Sequence, residues 1–154
     1  MLKSDYAGQN CSIARSLEIL GERWTLLILR DAFFGLRRFD EFHASLGLAR
    51  NVLATRLARL VDEGILEQVL YSERPERYEY RLTPKGRELG IALAALRQWG
   101  DKYLSAKPPR LLRRKSNHKP VIVAYVQDGG PTLRGDEIEV VPGPGLATKR
   151  RRTG

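Results

Sequence analysis

The chain holds one cysteine, one methionine and two histidines in 154 residues. A single cysteine excludes an intramolecular disulfide framework. His118 and Asp128 alone are too few for a structural zinc site, which wants four ligands. His43 and His118 fall in no recognisable triad or metal motif, and there is neither a P-loop nor a GxGxxG stretch. No apolar run approaches the roughly 20 residues of a transmembrane helix. The start, MLKSDYAGQNCS, has no apolar segment of signal-peptide type. These absences predict a cytoplasmic protein that is not an enzyme, does not meet the membrane, and needs no metal or cofactor.

Charge of one sign is in excess, but unevenly. The net charge is +9. Residues 1–104 hold 16 Lys/Arg against 14 Asp/Glu, whereas residues 105–154 hold 11 against 4. An anionic partner is implied, yet most of the excess lies in the tail, so the position of each charge matters more than the total. The length allows one domain plus a tail, or two very small domains.

The stretch from Arg37 to Glu63, RRFDEFHASLGLARNVLATRLARLVDE, reads as two helices with a break. The first covers about Phe39 to Leu46 and ends at Gly47, since a left-handed turn residue suits glycine. The second covers about Arg50 to Glu63. Leu53, Leu57 and Leu60 fall at i, i+4 and i+7 and make one buried stripe. The opposite face carries Asn51, Thr55, Ala58 and Arg59, with Asp62 near its end. Arg50 opens the helix and Arg56 flanks the stripe. A short, polar, partly cationic face of this kind fits a DNA major groove, and helix, glycine turn, helix is the helix-turn-helix pattern. The same face suits an ordinary solvated helix, so its neighbours decide.

Upstream, residues 1–10 read as flexible. Cys11 and Ser12 begin a helix with Ile13, Leu17 and Leu20 on one face, Ser12 as N-cap and Gly21 at its close. A very apolar helix from about Glu22 to Phe34 supplies the core, with Trp24 as a core anchor or, alternatively, an interface residue. Downstream, Ile65 to Leu70 and Arg77 to Leu82 read as strands joined by a basic turn, SERPE, with Tyr78, Tyr80 and Leu82 on one side. This hairpin would be a wing whose tip arginines, Arg74 and Arg77, reach phosphate or the minor groove. Thr83 and Pro84 start a helix running to about Leu104. Its stripe of Leu89, Leu93, Leu96, Trp99 and Tyr103 exceeds what so small a core can cover. Part of it is therefore expected to meet a second copy, together with the Ile13/Leu17 face. Residues 105–119 read as a basic linker and 120–142 as a small β extension, its strands drawn from VIVAYV and EIEVV. Residues 143–154 read as a disordered basic tail containing KRRR.

Several motifs recur together: CSIARSL at 11–17, GERWTLLILR at 21–30, GLRRFDEF at 35–42, VLATRL at 52–57, LVDEGIL at 60–66, YEYRLTPKG at 78–86 and WG at 99–100. On these the chain resembles the bacterial HxlR-type winged helix-turn-helix transcriptional regulators, relatives of the MarR group, over residues 11–104. The resemblance implies a mainly α fold with a small β-hairpin wing, a C-terminal dimerisation helix and a short β-containing tail. It implies a homodimer, more often a repressor than an activator, that binds double-stranded operator DNA in half-sites roughly 34 Å apart.

Carried over by position, Arg50, Asn51, Thr55 and Arg59 would face bases or nearby phosphates, Arg37 and Arg38 the backbone, and Arg74 and Arg77 would serve the wing. Ile13, Leu17, Leu89, Leu93, Leu96 and Trp99 would serve the dimer. Arg56 matches the family pattern but is expected to pair within the domain. Cys11 stands where some members carry a sensor of oxidants or electrophiles. A helix N-terminus and Arg15 favour thiolate there, and any disulfide would join a partner subunit or a small thiol. A small-molecule effector would lodge between the core helix (Trp24, Phe33, Phe34) and the dimer helices. Longer relatives carry an extension ending in a similar PGPG, some with cysteine pairs resembling a zinc knuckle, which this chain lacks. The alternative is a ligand- or protein-binding winged-helix module without specific DNA binding.

Overall fold

The computed structural model describes residue 6 and residues 8–145. Most of the predicted flexible start and the KRRR run lie outside those residues. The order of elements is α1 (Ser12–Leu20), α2 (Thr25–Phe33), α3 (Phe39–Leu46), α4 (Arg50–Asp62), β1 (Leu66–Glu73), β2 (Glu76–Leu82), α5 (Pro84–Glu88) and α6 (Gly90–Tyr103). Two short strands follow, β3 (Tyr125–Val126) and β4 (Thr132–Leu133). Among the described residues, no helix is long and apolar enough to cross a membrane.

The core forms where the apolar stripes of α2, α3 and α4 converge. Ile28, Leu29, Phe42, Leu53, Leu57 and Leu60 are fully buried there, and Leu66 and Ile65 close its lower edge. Spacing of three and four residues puts Leu53, Leu57 and Leu60 on one side of α4, so the expected stripe is the buried one. Gly47 ends α3 at φ 64°, and its amide donates to the His43 carbonyl. Gly64 takes φ 67° just past α4. The wing is an antiparallel pair in register from Leu66 opposite Leu82 to Glu73 opposite Glu76, with a bulge between Leu70 and Ser72.

Several expectations are corrected. Cys11, not Ser12, occupies the N-cap of α1, without a side-chain capping bond. Glu22 to Trp24 form a turn rather than the start of α2, closed by the Thr25 amide on the Glu22 carbonyl. Glu73 belongs to β1 and Glu76 to β2, so the hairpin turn is only Arg74–Pro75, a cis peptide. Tyr78 is 41% exposed because its end of the hairpin projects past the core. The single helix expected from Pro84 to Leu104 is broken at Leu89. The break lets Gly90 lie against the Phe33 ring, where an added Cβ would stand 3.1 Å from it.

The extension differs most. β3 comes from VIVAYV as expected, but its partner is Thr132–Leu133 rather than Glu137–Val141. A tight turn decides this. Gly129 takes φ 65°, the Gly130 amide donates to Gln127 and the Gln127 amide to Pro131, which folds the chain back before EIEVV is reached. The linker has structure too. Arg113 bridges Pro120, and the Arg114 amide donates to the Lys119 carbonyl. Gln98 on α6 then fixes the extension through both its amide atoms, at 2.9 and 2.8 Å from the Val123 carbonyl and amide.

Two glycines should behave differently. Gly47 has open space where a Cβ would stand, so Gly47→Ala costs only the left-handed conformation, about 1–2 kcal/mol. A Cβ on the buried Gly86 would overlap the Ile65 carbonyl oxygen, a backbone atom. Thermal unfolding should show Gly86→Ala as the more damaging change, and equal losses would contradict this packing.

Candidate nucleic-acid interface

With its leucines buried, α4 leaves Arg50, Asn51, Ala54, Thr55, Ala58 and Arg59 exposed. The Thr55 hydroxyl donates to the Asn51 carbonyl at 2.9 Å, which ties its polar end back to the helix. The face is low in profile at its centre, with an arginine toward each end. Neither end is loose. Arg50 stacks on the Phe39 ring at 4.8 Å and pairs with Asp40 at 3.1 Å. Arg59 pairs with Glu63, one turn on, at 2.8 Å.

The loop before α3 joins this helix pair to the wing. The Tyr80 amide of β2 donates to the Arg37 carbonyl at 2.7 Å, and the Phe42 ring meets Tyr80 edge-on. Arg38 lies over the Tyr71 ring at 4.6 Å, with Glu79 3.9 Å away. Arg37, Arg74 and Arg77 are exposed and have no carboxylate within ion-pair distance among the described residues. Arg56 does pair within the domain, at 2.6 Å from Glu22, and so ties α4 to the turn before α2.

The hairpin is not a basic element as a whole. Residues 66–82 carry Glu67, Glu73, Glu76 and Glu79 against Arg74, Arg77 and Arg81. Arg81 pairs with Glu79 at 3.0 Å. Only the tip arginines are left to meet an anion. The holding groups, namely Phe39, Asp40, Tyr71 and Glu79, were missed in the sequence. Glu63, at i+4 from Arg59, was the one readable from spacing.

The predicted dimer residues divide. Ile13, Leu17, Leu96 and Trp99 are exposed, at 71%, 41%, 54% and 57%. Leu89 and Leu93 are half-buried against the core of their own domain, where the break at Leu89 directs them. Cys11 is exposed at the start of α1, and Arg15 reaches Asn10 at 3.3 Å.

Three helices capped by an exposed polar helix and followed by a two-stranded hairpin define a winged helix-turn-helix. The chain belongs to the HxlR-like helix-turn-helix family, whose pattern matches residues 19–108. An uncharacterized HTH-type transcriptional regulator of Mycobacterium tuberculosis is 44% identical over 143 residues, covering 90% of this chain and 89% of that one. A crystal structure of a candidate transcription factor shares 41% identity with a TM-score of 0.75, covering 87% of this chain and 96% of the other. The reduced form of the transcriptional regulator YodB from B. subtilis shares 30% identity and a TM-score of 0.53, but covers 62% of this chain. The longer relatives thus match most of this chain, extension included, whereas the shorter regulator, itself covered to 96%, matches a smaller share of it. The family and these relatives are transcriptional regulators, not enzymes.

Glu41 caps α3 by accepting from the Arg37 and Arg38 amides at 2.8 and 2.9 Å. Those two hydrogen bonds, first from Arg37 and then from Arg38, hold its carboxyl below the ordinary value of 4.5, with the two arginine charges adding to them. A lowered folded value means stability that is present above the unfolded value and lost as pH falls through the folded one. Glu41→Ala should lower Tm by about 2–6 °C at neutral pH. The gap to wild type should stay constant down to about pH 4.5 and close below it. A gap that persists at pH 2 would show that the carboxylate is not its source.

Proposed function

We propose that the chain is a dimeric repressor that binds operator DNA selectively through α4, with the wing tip and the loop before α3 on the phosphates. The observation that carries this is the outer face of α4. Asn51 can read adenine and arginine guanine by paired hydrogen bonds, and the small residues between them allow close approach. Arg37, Arg38, Arg74 and Arg77 flank that face at positions suited to phosphate, which fixes register rather than sequence. Arg50 is held by an exposed ion pair, worth at most about 1 kcal/mol, and Arg59 by one with a half-buried Glu63, so a phosphate or guanine can replace the Asp40 carboxylate at little cost and compete for Arg59. Exposed Ile13, Leu17, Leu96 and Trp99 favour a second copy on the α1 and α6 faces. Exposed Cys11 lies beside that surface, so thiol-reactive compounds acting there would alter the pairing of subunits.

The acid balance of the wing favours a second reading, a winged-helix module without selective DNA binding. Binding of the full chain to DNA from its own upstream region, across a salt series and against scrambled DNA, separates the two. Arg59→Ala should weaken selective binding by about 1–3 kcal/mol, whereas Arg77→Ala should weaken all sequences alike and lower the salt slope by about 1. Equal affinity for scrambled DNA would select the second reading. Sedimentation should show Trp99→Asp as a monomer under conditions where wild type is a dimer. A Trp99→Asp dimer would place the subunit interface elsewhere.

A further inference from the structure

A cavity of about 610 Å³ opens between α2, α6 and the linker residues Pro109, Arg110 and Leu112. Its walls are Leu27, Phe33, Phe34, Leu93, Ala94 and Leu112. Trp24, expected there, is not among the lining residues and packs against the core instead. Three guanidinium groups stand at the rim, those of Arg30, Arg97 and Arg110, with Asp101 the one carboxylate.

The charges do not balance within the rim. Arg30 is matched by the buried Asp31, at 2.7 Å. Arg97 faces Asp101 at 3.8 Å. Arg110 has no carboxylate within ion-pair distance among the described residues, and rests over the Phe34 ring at 4.4 Å. A cation over an exposed ring is a weak hold, and an anion offers a stronger, charge-assisted one. The linker is fastened across the mouth, with Arg97 reaching the Arg110 carbonyl at 3.5 Å.

We propose that this cavity binds small amphipathic monocarboxylates, the apolar body among the leucines and phenylalanines and the carboxylate on Arg110. The volume suits a ligand of drug-like size, and an apolar chamber with few polar groups is the usual form of such sites. Leu96, exposed on the α6 face read above as a subunit contact, also lines the cavity, so the site lies beside that contact, and the unmatched Arg110 at its rim favours a small anion as occupant. This rests on the proposed regulator also answering a small-molecule effector, which the sequence leads one to expect between the core helix and the dimer helices, where this cavity joins α2 to α6.

Calorimetric titration of the full chain, free of DNA, tests it with naphthoate and decanoate, each against its neutral amide. At least one carboxylate should bind with Kd below about 1 mM, and its amide about tenfold or more weaker. Arg110→Gln, an exposed change, should abolish the preference for the acid. Ala94→Phe, which fills the chamber, should abolish binding of both forms while Tm is kept. Equal binding of acid and amide, or none of either acid, overturns the proposal. So does loss of dimerisation in Ala94→Phe without carboxylate binding, which would mean that a second copy fills the chamber. Carboxylate binding that leaves DNA affinity unchanged keeps the site and removes only the effector role.

Discussion

Whatever the outer face of α4 does depends on the grip on its inner face. Leu53, Leu57 and Leu60 are fully buried against a floor made by Phe42, Ile28 and Leu29. Burying each such side chain contributes about 1.5–3 kcal/mol, and together they fix the rotation of the helix. A slip by one residue turns a helix by about 100°. Such a slip would swing Asn51 and Thr55 aside and bring half-buried Val52 and the paired Arg56 outward. Arg56 adds a second restraint through Glu22. The wing shares the same foundation, because Tyr80 meets Phe42 with its ring and the Arg37 carbonyl with its amide. One core therefore sets the angle between the helix and the hairpin.

On that frame, charge acts by placement and not by amount. Residues 1–104 carry a net of only +2, from 16 cations and 14 anions. Acids close to Arg38, Arg50 and Arg59 hold those side chains in defined directions. The arrangement lowers general attraction for polyanions while leaving cations aimed. Residues 105–154, with +7, have the opposite balance. Nonspecific affinity scales with the number of phosphates neutralised. If the proposed DNA reading holds, a chain that divides charge this way would separate weak, salt-sensitive attraction from local readout by the face of α4.

The helices were legible because their signals are local. Glycine at 47 and 64, leucine spacing in α4, and the Thr83–Pro84 start each act within one turn, and each element appears where that chemistry puts it. The break at Leu89 was not legible, because it answers to Phe33, more than fifty residues earlier in the chain. The extension failed for a related reason. Apolar content marked two segments, but the turn at Gly129 paired β3 with the nearer polar-flanked Thr132–Leu133. At the candidate interface, the exposed residues could be read from the helical wheel. Their restraints could not, since Asp40 reaches Arg50 across the turn and Tyr71 reaches Arg38 from another element.

The remaining question is how a cavity beside α2 could be felt at α4, and Arg30 and Asp31 make the alternatives concrete. These neighbours lie on different sides of α2. Arg30 lines the cavity, while Asp31 is 2% exposed and its second carboxylate oxygen has no protein hydrogen-bond partner among the described residues. A ligand that engages only Arg110 leaves that pair intact. It would bind the existing arrangement and stabilise it. A ligand that draws Arg30 away would leave a buried carboxylate without its partner, at a cost on the order of 1–3 kcal/mol. That cost would fall on α2, which also carries Ile28 and Leu29 beneath α4. A ligand shifts an equilibrium only by its difference in affinity between two states. The choice between Arg110 and Arg30 therefore decides whether an occupied cavity locks the helix pair in place or loosens the floor on which it stands.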